Sequence, residues 1–337
     1  MEKINVLVTM PFPDELIQRL ADVSPDLSIT RREASAAEDT RDIIGEMDVL
    51  YGWQGFPQPA DAPRLRWVQL HSAGIDHLLD HPLYAQTEVM FTTTSGIHTI
   101  QMAEYVFAMI LALAHRVPLM VEDQKAMNWS DNRWGRYVTN ELYGSSIGIV
   151  GYGSIGRQIA RLANAFGIHV LAMKRDTRSL KHSGFSIPGT GDPEAEIPER
   201  IYPPEALHSF LAGCDYVVIT TPLTGQTRHL IDENALGAMK PNAVLVNVAR
   251  GDVVDEEALV KALETHQIGG AGLDVFSQEP LPAESRLWKL PNVLLSPHVS
   301  GFSEHYDRRA VEVFAENLRR FLNEEPLLNL VERGRDY

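Results

Sequence analysis

Gly151, Gly153 and Gly156 in the run IGIVGYGSIGRQIA form a GxGxxG pattern between a strand-length apolar stretch and an amphipathic helix. In that setting each glycine has a task. The first permits a tight turn, the second lets a pyrophosphate approach the backbone, and the third allows the helix to pack closely on the sheet. The helix N-terminus then offers free N–H groups and a favourable dipole to the phosphates. The pattern therefore demands an α/β unit with its turn at the carboxyl edge of a parallel sheet.

The rest of the chain supplies two such units. Strand candidates SIGIVG, HVLAMK, DYVVITTP, AVLVNVA, GGAGLDVF and VLLSPHV alternate with helical stretches such as GRQIARLANAFG and DEEALVKALETH, the pattern of a doubly wound sheet. Gly167 falls where the first of those helices should end. Upstream, INVLVTM, LSIT, DVLYGW, LRWVQLHSAGIDHLL and VMFTTT alternate with the amphipathic PDELIQRLADV and TRDIIGEM, which predicts a second parallel sheet. Between the two series, IQMAEYVFAMILALAHRVPLMVEDQKA carries apolar residues on most faces and predicts one long buried helix between domains or under a subunit interface. EHYDRRAVEVFAENLRRFLNEEP is again helical by period and is expected to return to the first unit. The Gly-, Pro- and acid-rich SGFSIPGTGDPEAEIPERIYPP predicts a long surface loop.

At 337 residues, with 44% apolar and 22% charged residues, the chain suits two globular domains. A net charge of −15 without a Lys/Arg cluster excludes a nucleic-acid groove. The N-terminal apolar run is too short for a signal-peptide core, and no run approaches membrane-spanning length, so no membrane association is expected. A single cysteine, Cys214, cannot form an internal disulfide and fits a reducing cytoplasm, with Cys214 as a small buried residue. Asn128-Trp129-Ser130 reads as a chance match to a glycosylation acceptor. His77 and His81 share a helical spacing but find no further ligand, so they predict a helix-surface pair and no metal.

Two sets of residues carry the chemistry. After the second strand of the nucleotide unit come Lys174, Arg175 and Asp176, with Arg178 close behind; Lys174 lies 18 residues past Gly156, where an acid would read a free ribose. A cation there attracts a 2′-phosphate, so NADP(H) is favoured, and NAD(H) stays possible if Asp176 takes the ribose. Three later segments, VNVARGDVVDEEAL, GLDVFSQEPLP and LLSPHVSG, follow strand ends, where the ligand crevice of an open α/β sheet lies. Reduction of a 2-oxo acid needs a cation for the substrate, a general acid for the developing alkoxide, and a carboxylate to orient that acid. Arg250, His298 and Glu279 supply one of each.

The words HSAGID, MAEY, ELYGSSIGIVGYGSIGRQIA, TTPLTGQTRHLI, VNVARGDVVDEEAL, GLDVFSQEPLP and SPHVSG, in this order, resemble the D-isomer-specific 2-hydroxyacid dehydrogenase family over nearly the whole chain. The resemblance implies two doubly wound parallel-sheet domains: a Rossmann nucleotide-binding domain at 103–302 and a flavodoxin-like substrate domain at 1–102 and 303–337. It implies that Arg250 binds the carboxylate and carbonyl of a small 2-oxo or 2-hydroxy acid, that His298 is the acid/base, and that Glu279 is its partner. The resemblance also implies that backbone at Ala73 and Gly74 is the other carboxylate clamp. It places Ser154, Ile155, Thr221, Pro222, Val248, Ala249, Asp274 and Gly301 around the cofactor, together with Arg250 and His298. Reduction of glyoxylate or hydroxypyruvate and a homodimeric assembly are the expectations, with Trp129 and Trp134 on an arm against the second subunit. No C-terminal regulatory domain is expected after Tyr337. Competing readings are a nucleotide-sensing corepressor or scaffold on the same fold, and a phosphite- or formate-type dehydrogenase. Two departures from the family pattern stand out: Lys174 and Arg175 in place of the frequent acid, and a long 176–204 loop.

Overall fold

The computed structural model describes residues 3–139, 141–182 and 184–333. Position 183 in the long loop and the last four residues of the 303–337 segment lie outside that description. The chain divides into two compact units, Met1–Ile97 with Ser303–Tyr337, and His98–Phe302.

The first unit contains β1 (Ile4–Val8), α1 (Asp14–Ala21), β2 (Leu27–Arg31), β3 (Val49–Gly52), β4 (Trp67–Leu70), α2 (Pro82–Ala85) and β5 (Met90–Thr92). All described pairings between these strands are parallel, in the order β2-β1-β3-β4-β5. That is the flavodoxin-like order. The central strands β3 and β4 are buried at every position, which a parallel sheet covered on both faces requires. TRDIIGEM does not make a helix; only short 3-10 turns form at Ala37–Thr40 and Ile44–Glu46. His77 and His81 share no helix either. His77 lies in a 3-10 turn, whereas His81 precedes α2 and its Nδ1 accepts a hydrogen bond from the Leu83 N–H.

The second unit opens with α3 (Thr99–Ala114), α4 (Val117–Lys125) and α5 (Arg133–Arg136). The single long helix expected here is two helices, bent by 65°. Pro118 is the cause: its missing N–H would have to bond the carbonyl of Ala114, the last residue of α3, and its ring would clash there. Arg116 makes the corner with a left-handed φ of 53°. α3 packs within its own unit, on the helix Ser154–Ala165 and on the strands Val244–Asn247, Gly270–Leu273 and Val293–Leu295, through Met102, Ala103, Val106, Phe107 and Ile110. α4, by contrast, leaves Val117, Met120 and Val121 exposed. Among the described residues no single helix is long and apolar enough to cross a membrane.

The sheet follows with β6 (Ser146–Val150), α6 (Ser154–Ala165), β7 (His169–Met173), β8 (Arg200–Tyr202), α7 (Leu207–Leu211), β9 (Tyr216–Ile219), α8 (Glu233–Ala238), β10 (Val244–Asn247), α9 (Glu256–Glu264), β11 (Gly270–Leu273) and β12 (Val293–Leu295). Its order, β12-β11-β10-β9-β6-β7-β8, is parallel throughout and reverses direction at β6, the switch point where such sheets bind nucleotides. Six of these strands match the sequence expectation; β8 emerges from within the long loop. α6 buries Gly156, Ile159, Ala160 and Ala163, one stripe at helical spacing, and Gly167 ends the helix with φ of 68°. After the second crossing of the chain, α10 (Tyr306–Leu322) belongs to the first unit, where Val311, Phe314 and Leu318 join the core beneath β1, β3 and β4.

Candidate active site

The glycine turn sits at the carboxyl end of β6. Gly151 holds φ of 102°, and a Cβ there would meet the backbone N of Thr221 at 2.8 Å, so strand β9's exit fits only against a glycine. A Cβ on Gly156 would meet the Gly151 carbonyl at 2.3 Å, which is the close helix packing expected of the third glycine. Gly153 differs. A Cβ there would have nothing within 4 Å, so the space above the turn is open at the point where a pyrophosphate would lie. Ser154 and Ile155 open α6 directly after it, and their N–H groups stand at the helix N-terminus. The site thus fits a dinucleotide. Thr220, not expected from sequence, locks the turn by donating from Oγ1 to the Gly151 carbonyl at 2.6 Å. Thr221 and Pro222 follow β9, and Val248 and Ala249 follow β10, on the same carboxyl edge.

The three residues expected to carry the chemistry lie at the next strand ends. Arg250 follows β10, in a turn that Asn247 holds by donating to the Arg250 carbonyl at 2.9 Å and accepting from the Ala249 N–H at 3.0 Å. Gly251 then presses on another loop: a Cβ there would fall 1.9 Å from the Phe276 carbonyl carbon. The Arg250 turn and the loop carrying Glu279 are therefore in direct backbone contact. Glu279 Oε1 accepts from the Phe276 N–H at 3.0 Å, and Oε2 lies 2.8 Å from His298 Nδ1. An ionised carboxylate can only accept, so Nδ1 carries the proton in that bond and Nε2 is left as the ring's second nitrogen. His298 and Glu279 are 48% and 36% exposed at their side chains, open enough for a substrate to reach.

His298 sits in left-handed backbone with φ of 54°, a conformation that needs support in a residue with a Cβ. Asp274 supplies it. Wholly buried, its Oδ1 accepts from Ser296 Oγ at 2.7 Å and the Val299 N–H at 2.9 Å, and its Oδ2 from the Ser300 N–H at 2.9 Å. Its carbonyl also accepts from the His298 N–H at 2.9 Å. The carboxylate expected around the cofactor is thus engaged in holding the loop that carries His298. Gly301 closes this loop, its carbonyl 3.4 Å from His98 Nδ1.

Lys174 and Asp176 are also engaged locally. Lys174 Nζ donates to the carbonyls of Asp176 and Ser179 at 3.2 and 2.6 Å, and Asp176 Oδ1 accepts from the N–H groups of Arg178 and Ser179 at 2.9 and 3.3 Å. Those two N–H groups hold the Asp176 carboxyl below its ordinary range. Arg175 and Arg178 are exposed.

Ala73 and Gly74 lie in the first unit, after β4, and so belong to a different unit from the trio. Their turn is braced from behind. The carbonyl of His71 accepts from Thr94 Oγ1 at 3.0 Å and from Tyr306 Oη at 2.7 Å, and Ser72 Oγ donates to the Gly74 carbonyl at 2.7 Å. The His71 ring sits 2.7 Å from Tyr51 Oη. Cys214 is buried, and burial pushes its thiol up to about 12. No group of metal-binding side chains occurs among the described residues.

Residues 107–300 match the family model described as D-isomer specific 2-hydroxyacid dehydrogenase, NAD binding domain. A glyoxylate reductase of Korarchaeum cryptofilum is 34% identical over 98% of this chain and 96% of its own length. Among solved structures, a D-isomer specific 2-hydroxyacid dehydrogenase from Xanthobacter autotrophicus, in complex with NADPH and MES, superposes with a TM-score of 0.79 at 29% identity, covering 100% of both chains. An NADPH-dependent glyoxylate/hydroxypyruvate reductase from Sinorhizobium meliloti, in complex with NADP and sulfate, gives a TM-score of 0.77 at 26% identity over 99% of this chain and 100% of that one. With the glycine turn, the Arg250, Glu279 and His298 strand-end cluster and these likenesses together, the chain belongs to the D-isomer-specific 2-hydroxyacid dehydrogenase family.

Proposed function

We propose that this chain reduces a small 2-oxo acid of the glyoxylate or hydroxypyruvate class, with Arg250, Glu279 and His298 as its catalytic residues and NADPH as the preferred cofactor. The observation that carries the reading is the 2.8 Å contact between His298 Nδ1 and a Glu279 carboxylate that is itself fixed by the Phe276 N–H. That pair sets the imidazole's tautomer and orientation, and the ring can then give a proton from Nε2 to the oxygen of the developing alkoxide. Arg250 forks onto the substrate carboxylate and carbonyl. The N–H groups of Ser154 and Ile155 hold the pyrophosphate, with Thr221, Pro222, Val248, Ala249 and Gly301 lining the bound nucleotide. When bound, the reduced nicotinamide supplies the hydride for the carbonyl carbon.

The substrate class is supported by the names of the Korarchaeum and Sinorhizobium relatives, and the cofactor preference by Lys174, Arg175 and Arg178 and by the NADP(H) in the two solved relatives. The lone buried Cys214 supports a cytoplasmic setting. A homodimer is supported by the exposed aromatic arm around α5. One panel tests the activity: NADH and NADPH oxidation with glyoxylate, hydroxypyruvate, pyruvate and phenylpyruvate, in wild type and in Arg250→Lys. The expected result is highest kcat/KM on one of the first two acids, and a raised oxo-acid KM in the variant, since Lys lacks the planar bidentate fork. Absence of turnover on all four acids overturns the reading.

A further inference from the structure

An acid just past the second strand of a nucleotide-binding sheet usually reads the ribose 2′-hydroxyl and so disfavours a 2′-phosphate. Asp176 stands in that region, yet its geometry gives it another task. Lys174 and Asp176 close one turn from both sides: the ammonium binds two carbonyls, of Asp176 and Ser179, and the carboxylate binds two N–H groups, of Arg178 and Ser179. The Lys174 N–H is meanwhile held by the Tyr202 carbonyl at 3.0 Å, so the turn grows from a fixed sheet position.

The loop beyond the turn is pinned to α6, the helix that follows the glycine turn. Arg157 is only 2% exposed. Its guanidinium donates to the carbonyls of Leu180 and Asp192, and to that of Pro193 at 3.4 Å, so it grips both arms of the loop. Tyr152 Oη donates to Asp192 Oδ2 at 2.5 Å, and Gln158 Oε1 accepts from the Gly191 N–H at 2.6 Å. The readers of the pyrophosphate and the 174–179 turn are thereby held by one helix at a fixed spacing.

We propose that Asp176 and Lys174 are positioning residues for cofactor selection: they shape the 174–179 turn so that the exposed Arg175 and Arg178 meet the 2′-phosphate, and the acid here promotes NADPH use. This rests on the NADPH preference given above. Two substitutions separate shape from charge. Asp176→Asn and Asp176→Ala both remove one negative charge near the phosphate, and by Coulomb attraction alone both should favour NADPH equally. Only Asn keeps an oxygen for the Arg178 and Ser179 N–H groups.

The experiment measures Kd for NADPH and NADH by calorimetry, and kcat/KM for both, in wild type and the two variants at one ionic strength. The wild type is expected to prefer NADPH. Asp176→Asn should retain or raise that preference, whereas Asp176→Ala should lower it by roughly tenfold, about 1.4 kcal/mol. Thermal unfolding of both variants should stay near wild type, because Asp176 is exposed. Equal shifts in the two variants, or a rise in NADPH preference in Asp176→Ala through weakened NADH binding, overturns the positioning role while leaving the NADPH reading intact. A wild type that prefers NADH overturns both.

Discussion

At the scale of single residues, the site is a set of ordinary groups made specific by what holds them. His298 lacks neither partner nor access: Glu279 fixes Nδ1, and Asp274 fixes the backbone on which the ring stands. Substitution of His298 by Ala is expected to lower kcat by roughly 100- to 10,000-fold, with Kd for the nucleotide little changed. Glu279→Gln keeps an oxygen for the Phe276 N–H but loses the charge that steadies an imidazolium, so its kcat should fall by less than that of His298→Ala. Stopped-flow measurement of the hydride step checks both, and near-normal turnover in His298→Ala removes that residue from the mechanism. The residue types of this trio are readable in sequence, because each follows a strand candidate and each suits one step of the proposed reduction. The meeting of their loops is not. Arg250, Glu279 and His298 lie far apart along the chain, and only strand order and the close backbone approach at Gly251, where no Cβ would fit against Phe276, bring their loops together. Asn247, Thr220 and Asp274 show why the supporting shell stays hidden: polar residues at strand ends reveal their task only through the backbone groups that they meet.

At the scale of elements, periodicity revealed the parallel strands and α6 because burial on a sheet face imposes it directly. It failed where a backbone constraint overrides an unbroken apolar pattern. Pro118 interrupts the run from Ile100 to Ala126 without changing its hydropathy, so one expected helix becomes α3 and α4. The three-residue β8 is hidden for the opposite reason, lying in a Gly-, Pro- and acid-rich stretch, and is short enough for an edge strand. The arm between α4 and β6 has its own fastening. Asp123 receives Arg136 Nε at 2.6 Å and Nη2 at 3.0 Å, Asn128 Nδ2 at 2.8 Å, and the Tyr137 hydroxyl. Those hydrogen bonds, the Arg136 guanidinium first, hold the carboxyl well below its ordinary value of 3.8. A carboxylate depressed in the fold contributes stability above its unfolded pKa, and that contribution is lost as pH falls below it. Amide exchange across 128–137 is therefore expected to accelerate in wild type as pH drops from about 5 toward 3, after correction for the intrinsic pH dependence of exchange. In Asp123→Ala the arm should already be loose at neutral pH, with tryptic cleavage after Arg133 and Arg136 roughly tenfold faster. Equal cleavage rates in variant and wild type would show that Asp123 does not fasten the arm.

At the scale of the whole molecule, the fastening of that arm bears on assembly. Trp129 and Trp134 are 80% and 85% exposed, with Met127 and Val138 exposed beside them, on a chain whose other tryptophans include the fully buried Trp67. Large aromatic side chains left in water forfeit the burial that stabilises most of the molecule, and aromatic anchors with an Arg stacked on them are typical of interface centres. Arg133 lies over the Trp129 ring at 5.7 Å. An arm that is fixed by a carboxylate hub before it meets a partner loses little conformational entropy on docking. The homodimer reading therefore predicts that light scattering of the wild type gives twice the chain mass at micromolar concentration. Trp129→Ser with Trp134→Ser should shift that equilibrium toward monomer, while the circular dichroism spectrum and nucleotide affinity stay unchanged, because neither residue belongs to the core of its unit. Asp123→Ala should weaken the dimer as well, through loss of the arm's fixed shape and with both tryptophans still in place. A wild type that is monomeric across the accessible concentration range overturns the dimer. A dimer indifferent to the paired tryptophan substitution instead moves the interface elsewhere on the molecule and leaves the exposed arm without this role.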